Sequence, residues 1–230
     1  MADDPHAGFP GFPPEAMRFL ADLRDHNDRD WFTTHRQTYE QAIKGPAEAL
    51  LACLEPALAS LTGAPVTGKI FRIHRDVRFS KDKRPYNAYL HIAFPARSGV
   101  GDGASEVTAC GYFFGLEPDR VRLGAGGFDF SGPVLDAYRA AAADQAKGPA
   151  LERMLAKLGK AGLQIEGSEL KRTPQPYAQD HPRAALLRRK GLHVWRDIRD
   201  PAVISSDRLF AETMATFVTL SPLVRWLSNL

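Results

Sequence analysis

The sequence changes character in the segment Lys69-Ile-Phe-Arg-Ile-His-Arg-Asp-Val-Arg-Phe-Ser-Lys-Asp-Lys-Arg-Pro-Tyr86, which we call the basic motif. In its first part, the apolar residues Phe71, Ile73, Val77 and Phe79 alternate with charged residues. An alternation with a period of two is typical of a β-strand that has one buried and one solvated face. The motif therefore predicts a strand up to Phe79, with that ring in the core, followed by a loop rich in lysine.

The residues on either side of the basic motif predict other kinds of secondary structure. Before it, apolar residues recur with the spacing of a helix, which predicts a helical layer over residues 14–63. After it, strands are predicted at 89–94, 107–116, 120–123 and 192–198, a turn at 99–103, and helices at 133–143, 149–158, 207–219 and from 221. This order favours a single α+β domain over residues 14–230, with a mainly antiparallel sheet from about residue 69 flanked by the N-terminal helical layer and the C-terminal helices. Residues 1–13, rich in Gly and Pro, are expected to form a flexible arm.

The composition of the chain is that of an ordinary globular protein, with 44% hydrophobic and 25% charged residues over a length of 230. No run approaches the roughly 18 apolar residues of a transmembrane helix, so we expect a cytoplasmic protein with no membrane partner. Cys53 and Cys110 lie far apart, and the chain contains no HExxH motif and no spaced Cys/His cluster. We therefore expect no metal site. The sequence indicates neither a cofactor nor an oligomeric state.

Positive charge is concentrated in two blocks of the chain. Residues 69–84 contain seven Lys or Arg against two Asp or Glu, and residues 168–199 contain eight against three. Residues 1–68, by contrast, contain five basic and ten acidic residues. Blocks of one sign on a chain whose net charge is only +3 are candidate sites for phosphate or another anion.

The strand predicted for the basic motif would place Arg72, His74, Asp76 and Arg78 on one face, at intervals of roughly 6 to 7 Å. Two guanidiniums at that spacing could clamp a phosphate or a carboxylate, because each pairs bidentately with oxygen anions. The basic motif is therefore predicted to bind a ligand. The predicted contacts are Arg72, Arg75, Arg78, Lys81, Lys83 and Tyr86, together with Arg183 from the second basic block.

The candidates for catalysis are His74, Asp76, Asp82 and His181. Asp76 would be held ionised by its arginine neighbours, so it could orient an arginine or bind a metal but would be a poor proton donor. The two histidines are suited to proton transfer near neutral pH. The second basic block, which contains His181, is either the opposite wall of the same cleft or a solvated surface.

A glycine-rich stretch, Gly124-Ala-Gly-Gly127, follows a predicted strand. It lacks the Walker lysine and the GxGxxG spacing of a dinucleotide fold, so a tight turn is favoured over a nucleotide loop. The predicted ligand site therefore does not include this glycine-rich stretch.

The run FRIHRDVRFSKDKRPY, from Phe71 to Tyr86, resembles the hallmark of the bacterial and fungal family known as domain of unknown function 2461. Other parts of the chain are also similar to this family, namely residues 19–20, 27–32, 123–126, 170–171, 180–182, 186–187 and 222–227. The resemblance spans nearly the whole chain and implies one α+β domain, but it implies no activity. The chain differs from the usual family pattern after Tyr86, where Asn87-Ala-Tyr89 stands in place of a basic residue and a hydroxyl.

Three functions are consistent with these residues. In the first, the basic motif binds a phosphate-bearing ligand, either a nucleotide-like metabolite or a nucleic-acid backbone. In the second, the protein is a hydrolase or transferase that acts on a small anion. In the third, it is a non-catalytic interaction protein whose motif arginines pair internally with carboxylates of the acidic helical layer, such as Asp28.

Overall fold

A computed structural model of the chain describes residues 9–96 and 110–230. Its strands form one six-stranded antiparallel sheet in the order β1-β2-β3-β4-β6-β5, which confirms the predicted α+β class. The strands are β1 Lys69–Ile70, β2 Leu90–Ala96, β3 Cys110–Glu117, β4 Arg120–Gly127, β5 Gln164–Glu166 and β6 Leu192–Ile198. The helices are α1 Pro14–Asp25, α2 Arg29–Thr34, α3 Arg36–Thr38, α4 Gly45–Thr62, α5 Gly132–Ala143, α6 Lys147–Lys160, α7 Ala184–Leu187, α8 Pro201–Ile204 and α9 Arg208–Ser228, with a π-helix, Tyr39–Lys44, directly before α4.

The described residues divide into two compact units. Unit 1 comprises residues 9–94, 113–123 and 197–216, and it contains the whole basic motif. Unit 2 comprises residues 95–96, 110–112, 124–196 and 217–230, and it contains the second basic block up to residue 196. Among the described residues, no helix is both long enough and apolar enough to cross a membrane.

The packed part of unit 1 begins inside the predicted arm. Phe9 and Phe12 are buried, and the Phe12 ring stacks on Phe114 with 5.9 Å between ring centroids. The backbone N–H of Phe12 also donates to the carbonyl of Ile204 at 2.9 Å. The two aromatic rings bury apolar area, so Phe9 and Phe12 anchor the end of the predicted arm. The rest of that arm and the predicted turn at 99–103 lie outside the described residues.

The helical layer of unit 1 follows its local capping signals. Asp28 caps α2 by accepting a hydrogen bond from the backbone N–H of Trp31 at 2.8 Å. Helix α4 ends at Gly63, whose φ of 74° lies in the left-handed region that favours glycine. The layer matches the prediction in extent, but the π-helix was not predicted, because a π-turn and an α-turn present nearly the same apolar spacing.

The strand predicted through Phe79 is wrong, because only Lys69–Ile70 pair with β2 in a ladder. The alternation that predicted the strand does not correspond to burial, since Phe71 is 47% exposed and Phe79 is 96% exposed. The cause is the aspartates of the basic motif. Asp side chains accept hydrogen bonds from backbone N–H groups two residues further on, and these local turns compete with strand pairing.

Two further predictions are corrected by the structure. Gly124-Ala-Gly-Gly127 belongs to β4 rather than to a tight turn, and the ring of Trp195 lies so close to Gly124 that no Cβ would fit there. The two predicted C-terminal helices form one helix, α9, with Pro222 inside it. The buried side chains of Leu220, Leu223 and Leu227 continue the apolar face past the proline.

Candidate functional site

The basic motif is a loop that is closed at its base. The backbone N–H of Arg75 donates to the carbonyl of Pro85 at 2.8 Å, and that of Asn87 donates to the carbonyl of Ile73 at 2.7 Å. Between these bonds, His74 and Tyr86 form an isolated antiparallel bridge. Residues 75–85 therefore project from a fixed two-stranded base, although most of them make no ladder.

The first turn of this loop is built by Asp76 and Arg78. One carboxylate oxygen of Asp76 accepts the backbone N–H of Arg78 at 3.2 Å, which makes an Asx-turn. The guanidinium of Arg78 folds back onto the same carboxylate, with Nε and Nη2 donating at 2.9 and 2.6 Å. The Asp-x-Arg spacing thus gives a local turn and a bidentate ion pair together.

The second turn repeats this arrangement at Asp82 and Arg84. The backbone N–H of Arg84 donates to Asp82 at 3.1 Å, and its Nη2 donates to the same carboxylate at 2.8 Å. Arg75 adds a second guanidinium, which donates to Asp82 at 2.9 Å and to the carbonyl of Arg84 at 3.0 Å. Three of the motif arginines are therefore held by the two aspartates of the motif itself.

These ion pairs set the protonation of the two carboxyls. The Arg78 side chain lowers the pKa of Asp76 below its usual value of 3.8, and the Arg84 side chain lowers the pKa of Asp82 further still. Both groups remain ionised at neutral pH and are weak bases. Among the described residues, no group of three or more His, Cys, Asp or Glu side chains is arranged to hold a metal ion.

The remaining cations of the motif have different surroundings. The Lys83 ammonium donates to the carbonyl of Val77 at 3.0 Å. Within the described part of the chain, Arg72 and Lys81 form no ion pair and no side-chain hydrogen bond, and both are exposed. Arg72 acts on Asp76 only through its charge, which also lowers the pKa of that carboxyl. Arg72 and Lys81 therefore keep all their side-chain donors for a ligand, whereas Lys83 uses one of its three.

Arg72 lines a cleft of about 570 Å³ in unit 1, which we call the motif cleft. One wall comes from the start of the basic motif and the other from α2, α3, the π-helix and the start of α4. The lining residues are Phe32, Thr33, Arg36, Tyr39, Glu40, Lys44, Glu48, Ile70, Phe71, Arg72, Ile73, His74 and Tyr86. The cleft therefore combines two predicted ligand contacts, Arg72 and Tyr86, with the predicted catalytic candidate His74.

The helical wall contributes residues that the sequence did not single out. Arg36 is exposed and, like Arg72, forms no ion pair within the described residues. Lys44 is held by Glu40 at 2.9 Å. Burial raises the pKa of Tyr39, and the charge of Glu40 raises it further, so its hydroxyl keeps its proton at neutral pH. A π-helix frequently occurs at a functional site, and this one places Tyr39 and Lys44 on the cleft.

The floor of the motif cleft is aromatic. Tyr86 is buried, and its ring stacks on Phe32 with 4.2 Å between centroids. The His74 ring lies 5.2 Å from the Tyr86 ring and 6.0 Å from the Phe32 ring. Tyr86 therefore supports the imidazole of His74 by packing, in addition to lining the cleft.

A second cleft in unit 1, of about 390 Å³, is lined by Arg75, Asp82 and Arg84. Glu117 and Asp119 also line it, and they pair with Arg120 and Arg199 at 2.6 Å in each case. Arg75, Asp82, Arg84, Glu117 and Asp119 are thus all engaged in ion pairs. This second cleft is therefore less suited to binding an anion than the motif cleft is.

The predicted residues of the second basic block lie in unit 2. Arg183 is buried, and its guanidinium donates to the carbonyls of Ala142 and Ala143 at 2.7 and 2.6 Å, at the end of α5. The Nδ1 of His181 accepts the backbone N–H of Arg183 at 3.0 Å. The contacts of Arg183 are thus those of a helix C-cap.

The described residues thus form an α+β protein in which the basic motif is a hairpin-like loop and lines the motif cleft. The family model described as "Conserved hypothetical protein (DUF2461)" matches residues 15–226, and the chain belongs to this family. The resemblance found in the basic motif is thereby confirmed. No curated protein matches the chain.

Proposed function

We propose that the motif cleft binds a small phosphate-bearing ligand, with the guanidiniums of Arg36 and Arg72 as its anion contacts. The observation that carries the proposal is that both arginines line the cleft and, within the described residues, form no ion pair. The motif's own carboxylates are taken by other arginines. A guanidinium with unused donors is well suited to a phosphate.

Three further groups support a phosphate ester rather than a bare anion. The Tyr39 hydroxyl and the His74 imidazole line the same cleft and can hydrogen-bond to the rest of a ligand. Glu48 also lines the cleft and is exposed, so it can accept from a hydroxyl or an amino group of a nucleotide-like metabolite. A mixed lining of this kind fits a polar ligand with both acceptors and donors.

Binding is favoured over hydrolysis or group transfer by the state of the aspartates. Asp76 and Asp82 have lowered pKa values because Arg78 and Arg84 hold them, which weakens either one as a general base. The same ion pairs support a structural role for Arg75, Arg78 and Arg84. These arginines pair with the aspartates of the motif itself. The hypothesis of a non-catalytic interaction protein had expected them to pair with carboxylates of the acidic helical layer.

The proposal is tested by titrating the full chain with pyrophosphate and, separately, with adenosine 5′-monophosphate. Binding is followed by calorimetry and by the amide NMR signals of Tyr39, Arg72 and His74. R36Q and R72Q should each weaken binding about tenfold, since a charge-assisted hydrogen bond contributes about 1.5 to 3 kcal/mol. R18Q is the matched control, because Arg18 pairs with Glu15 on α1 and does not line the cleft.

Three results would overturn the proposal. One is an absence of binding to either compound at low salt. Another is equal affinity in wild type, R36Q and R72Q, which would place any anion contact elsewhere. The third is a loss of affinity in R18Q as large as in R72Q, because it would show a general effect of charge.

A further inference from the structure

The tip of the basic loop displays a phenylalanine that no packing requirement explains. Phe79 is 96% exposed and lines neither of the two clefts described above. The guanidinium of Arg78 lies over its ring, 5.9 Å from the centroid. Two nitrogens of that guanidinium, Nε and Nη2, donate to the carboxylate of Asp76, so the cation beside the ring is fixed. The ring therefore has one face beside a cation and the other open to a partner.

A second phenylalanine of the same motif has the same arrangement. Phe71 is 47% exposed, and the ammonium of Lys69 lies over its ring at 5.7 Å from the centroid. Phe71 and Phe79 are eight residues apart, so they are separated by at most about 27 Å of extended chain. Two aromatic rings, each paired with a cation, thus lie on one short segment that carries five more basic than acidic residues.

We propose that the basic motif binds single-stranded nucleic acid, with Phe71 and Phe79 stacking on bases and Lys69, Lys81 and Lys83 lying beside phosphates. Aromatic rings stack on bases of any sequence, and nearby cations neutralise the backbone. The upper limit of about 27 Å on the separation of the two rings is compatible with a single-strand site of about 4 to 16 nucleotides, the range covered by OB folds. This inference rests on the proposed function in that the ligand carries phosphate, and it extends the ligand from the cleft along the loop.

The repeated arrangement favours a strand over other phosphate-bearing partners. A mononucleotide has one base, so it accounts for at most one of the two rings. A duplex keeps its bases stacked within the helix and would meet only the cations. An anionic bilayer would receive the isolated ring of Phe79 but gives no reason for a second cation-backed ring at Phe71, which also lines the motif cleft.

The experiment measures fluorescence anisotropy of a labelled 20-nucleotide oligothymidine and of its duplex, with the full chain at low salt. F79A should weaken binding to the single strand about tenfold, because stacking on one aromatic side chain contributes roughly 1 to 3 kcal/mol per base. F128A is the matched control, since Phe128 is 50% exposed and belongs to unit 2. Because Phe79 is almost fully exposed, F79A should unfold at the same temperature as wild type.

Each outcome decides the proposal. Single-strand binding that F79A weakens and F128A does not, with weaker binding to the duplex, supports it. Equal binding to the single strand and the duplex overturns it, and so does equal binding by F79A and wild type. It is also overturned if the protein binds anionic vesicles but not the oligonucleotide, and F79A weakens that vesicle binding. Adenosine 5′-monophosphate is titrated into the same variants. If the variants still bind adenosine 5′-monophosphate and F79A binds the oligonucleotide as well as wild type does, this inference is overturned and the cleft proposal stands.

Discussion

The side chain of Asn27 forms two reciprocal hydrogen bonds with the backbone of Tyr86. Its Nδ2 donates to the Tyr86 carbonyl and its Oδ1 accepts the Tyr86 N–H, both at 3.0 Å. An amide side chain here takes the place of a neighbouring strand. Asn27 lies between α1 and α2, so these bonds fasten the helical layer to the end of the basic motif. The sequence does not predict this contact between Asn27 and Tyr86, because the two residues are 59 positions apart.

Replacing Asn27 should destabilise the protein. Asn27→Ala leaves a part-buried donor and a part-buried acceptor without partners, which costs about 1 to 3 kcal/mol in the free energy of unfolding. Asn27→Asp should also destabilise it, because a carboxylate cannot donate to the Tyr86 carbonyl. The measurement is urea unfolding, with Asn229→Ala as the control, since Asn229 makes one exposed hydrogen bond to Arg225. A change below about 0.5 kcal/mol in Asn27→Ala would contradict this assignment.

The two aspartates of the basic motif should differ in importance. Asp82 accepts from both Arg84 and Arg75, whereas Asp76 holds Arg78 alone. Asp82→Asn should therefore speed hydrogen exchange of the Arg75 and Asn87 amides, which close the loop, more than Asp76→Asn does. Both variants should keep the same melting temperature within a few degrees, since exposed ion pairs contribute little. Equal exchange rates in the two variants would show that the second turn does not organise the loop.

The loop should lose order in acid. Hydrogen bonds from Arg84 hold the pKa of Asp82 below its ordinary value of 3.8, and those from Arg78 do the same for Asp76. A carboxyl with a lowered pKa stabilises the folded loop above about pH 4, and this contribution disappears as the pH falls through the folded pKa. NMR titration of the two side-chain carboxyl carbons should give midpoints below 3.8, lower for Asp82. Midpoints at or above 3.8 would show that the ion pairs do not form in solution.

Gly124 should tolerate no side chain. A Cβ there would overlap the ring of Trp195, which crosses the strand at that point. Gly124→Ala should lower the free energy of unfolding by more than about 2 kcal/mol, because the strand or the ring must move. Gly159→Ala is the matched control, since a Cβ at this position of α6 would meet only Ile165, at an ordinary 3.6 Å. This control should be neutral or up to about 1 kcal/mol more stable, because alanine favours a helix.

Arg183 gives a test between its predicted ligand role and its observed contacts. Arg183→Lys keeps the charge but cannot donate to the carbonyls of Ala142 and Ala143 in the same geometry. Unfolding should become easier by about 1 to 3 kcal/mol. Arg172→Lys, at an exposed position of the same block, should leave stability unchanged. If Arg183→Lys keeps full stability but weakens phosphate binding, the ligand role is correct and the capping role is not.

The sequence identified the basic motif, the α+β class and most helices and strands, because these depend on local periodicity and caps. Asp28 and Gly63 fixed the ends of helices through bonds within one turn. Of the residues lining the motif cleft, Arg72, His74 and Tyr86 were predicted from the motif itself. Arg36 and Tyr39 were not, since nothing in helical spacing distinguishes an arginine with an ion-pair partner from one without.

The sequence by itself determined that positive charge and aromatic residues are concentrated between Lys69 and Tyr86. Only the tertiary structure decided what those charges do. The aspartates two positions before Arg78 and Arg84 turn the chain back on itself, which removes the predicted strand and neutralises part of the charge. Periodicity reports one residue's neighbours along the chain, whereas the availability of a cation depends on every group that packs around it. The structure shows that the two aspartates pair with Arg75, Arg78 and Arg84 and not with Arg72. It also shows that Phe79, which was predicted to lie in the core, is exposed.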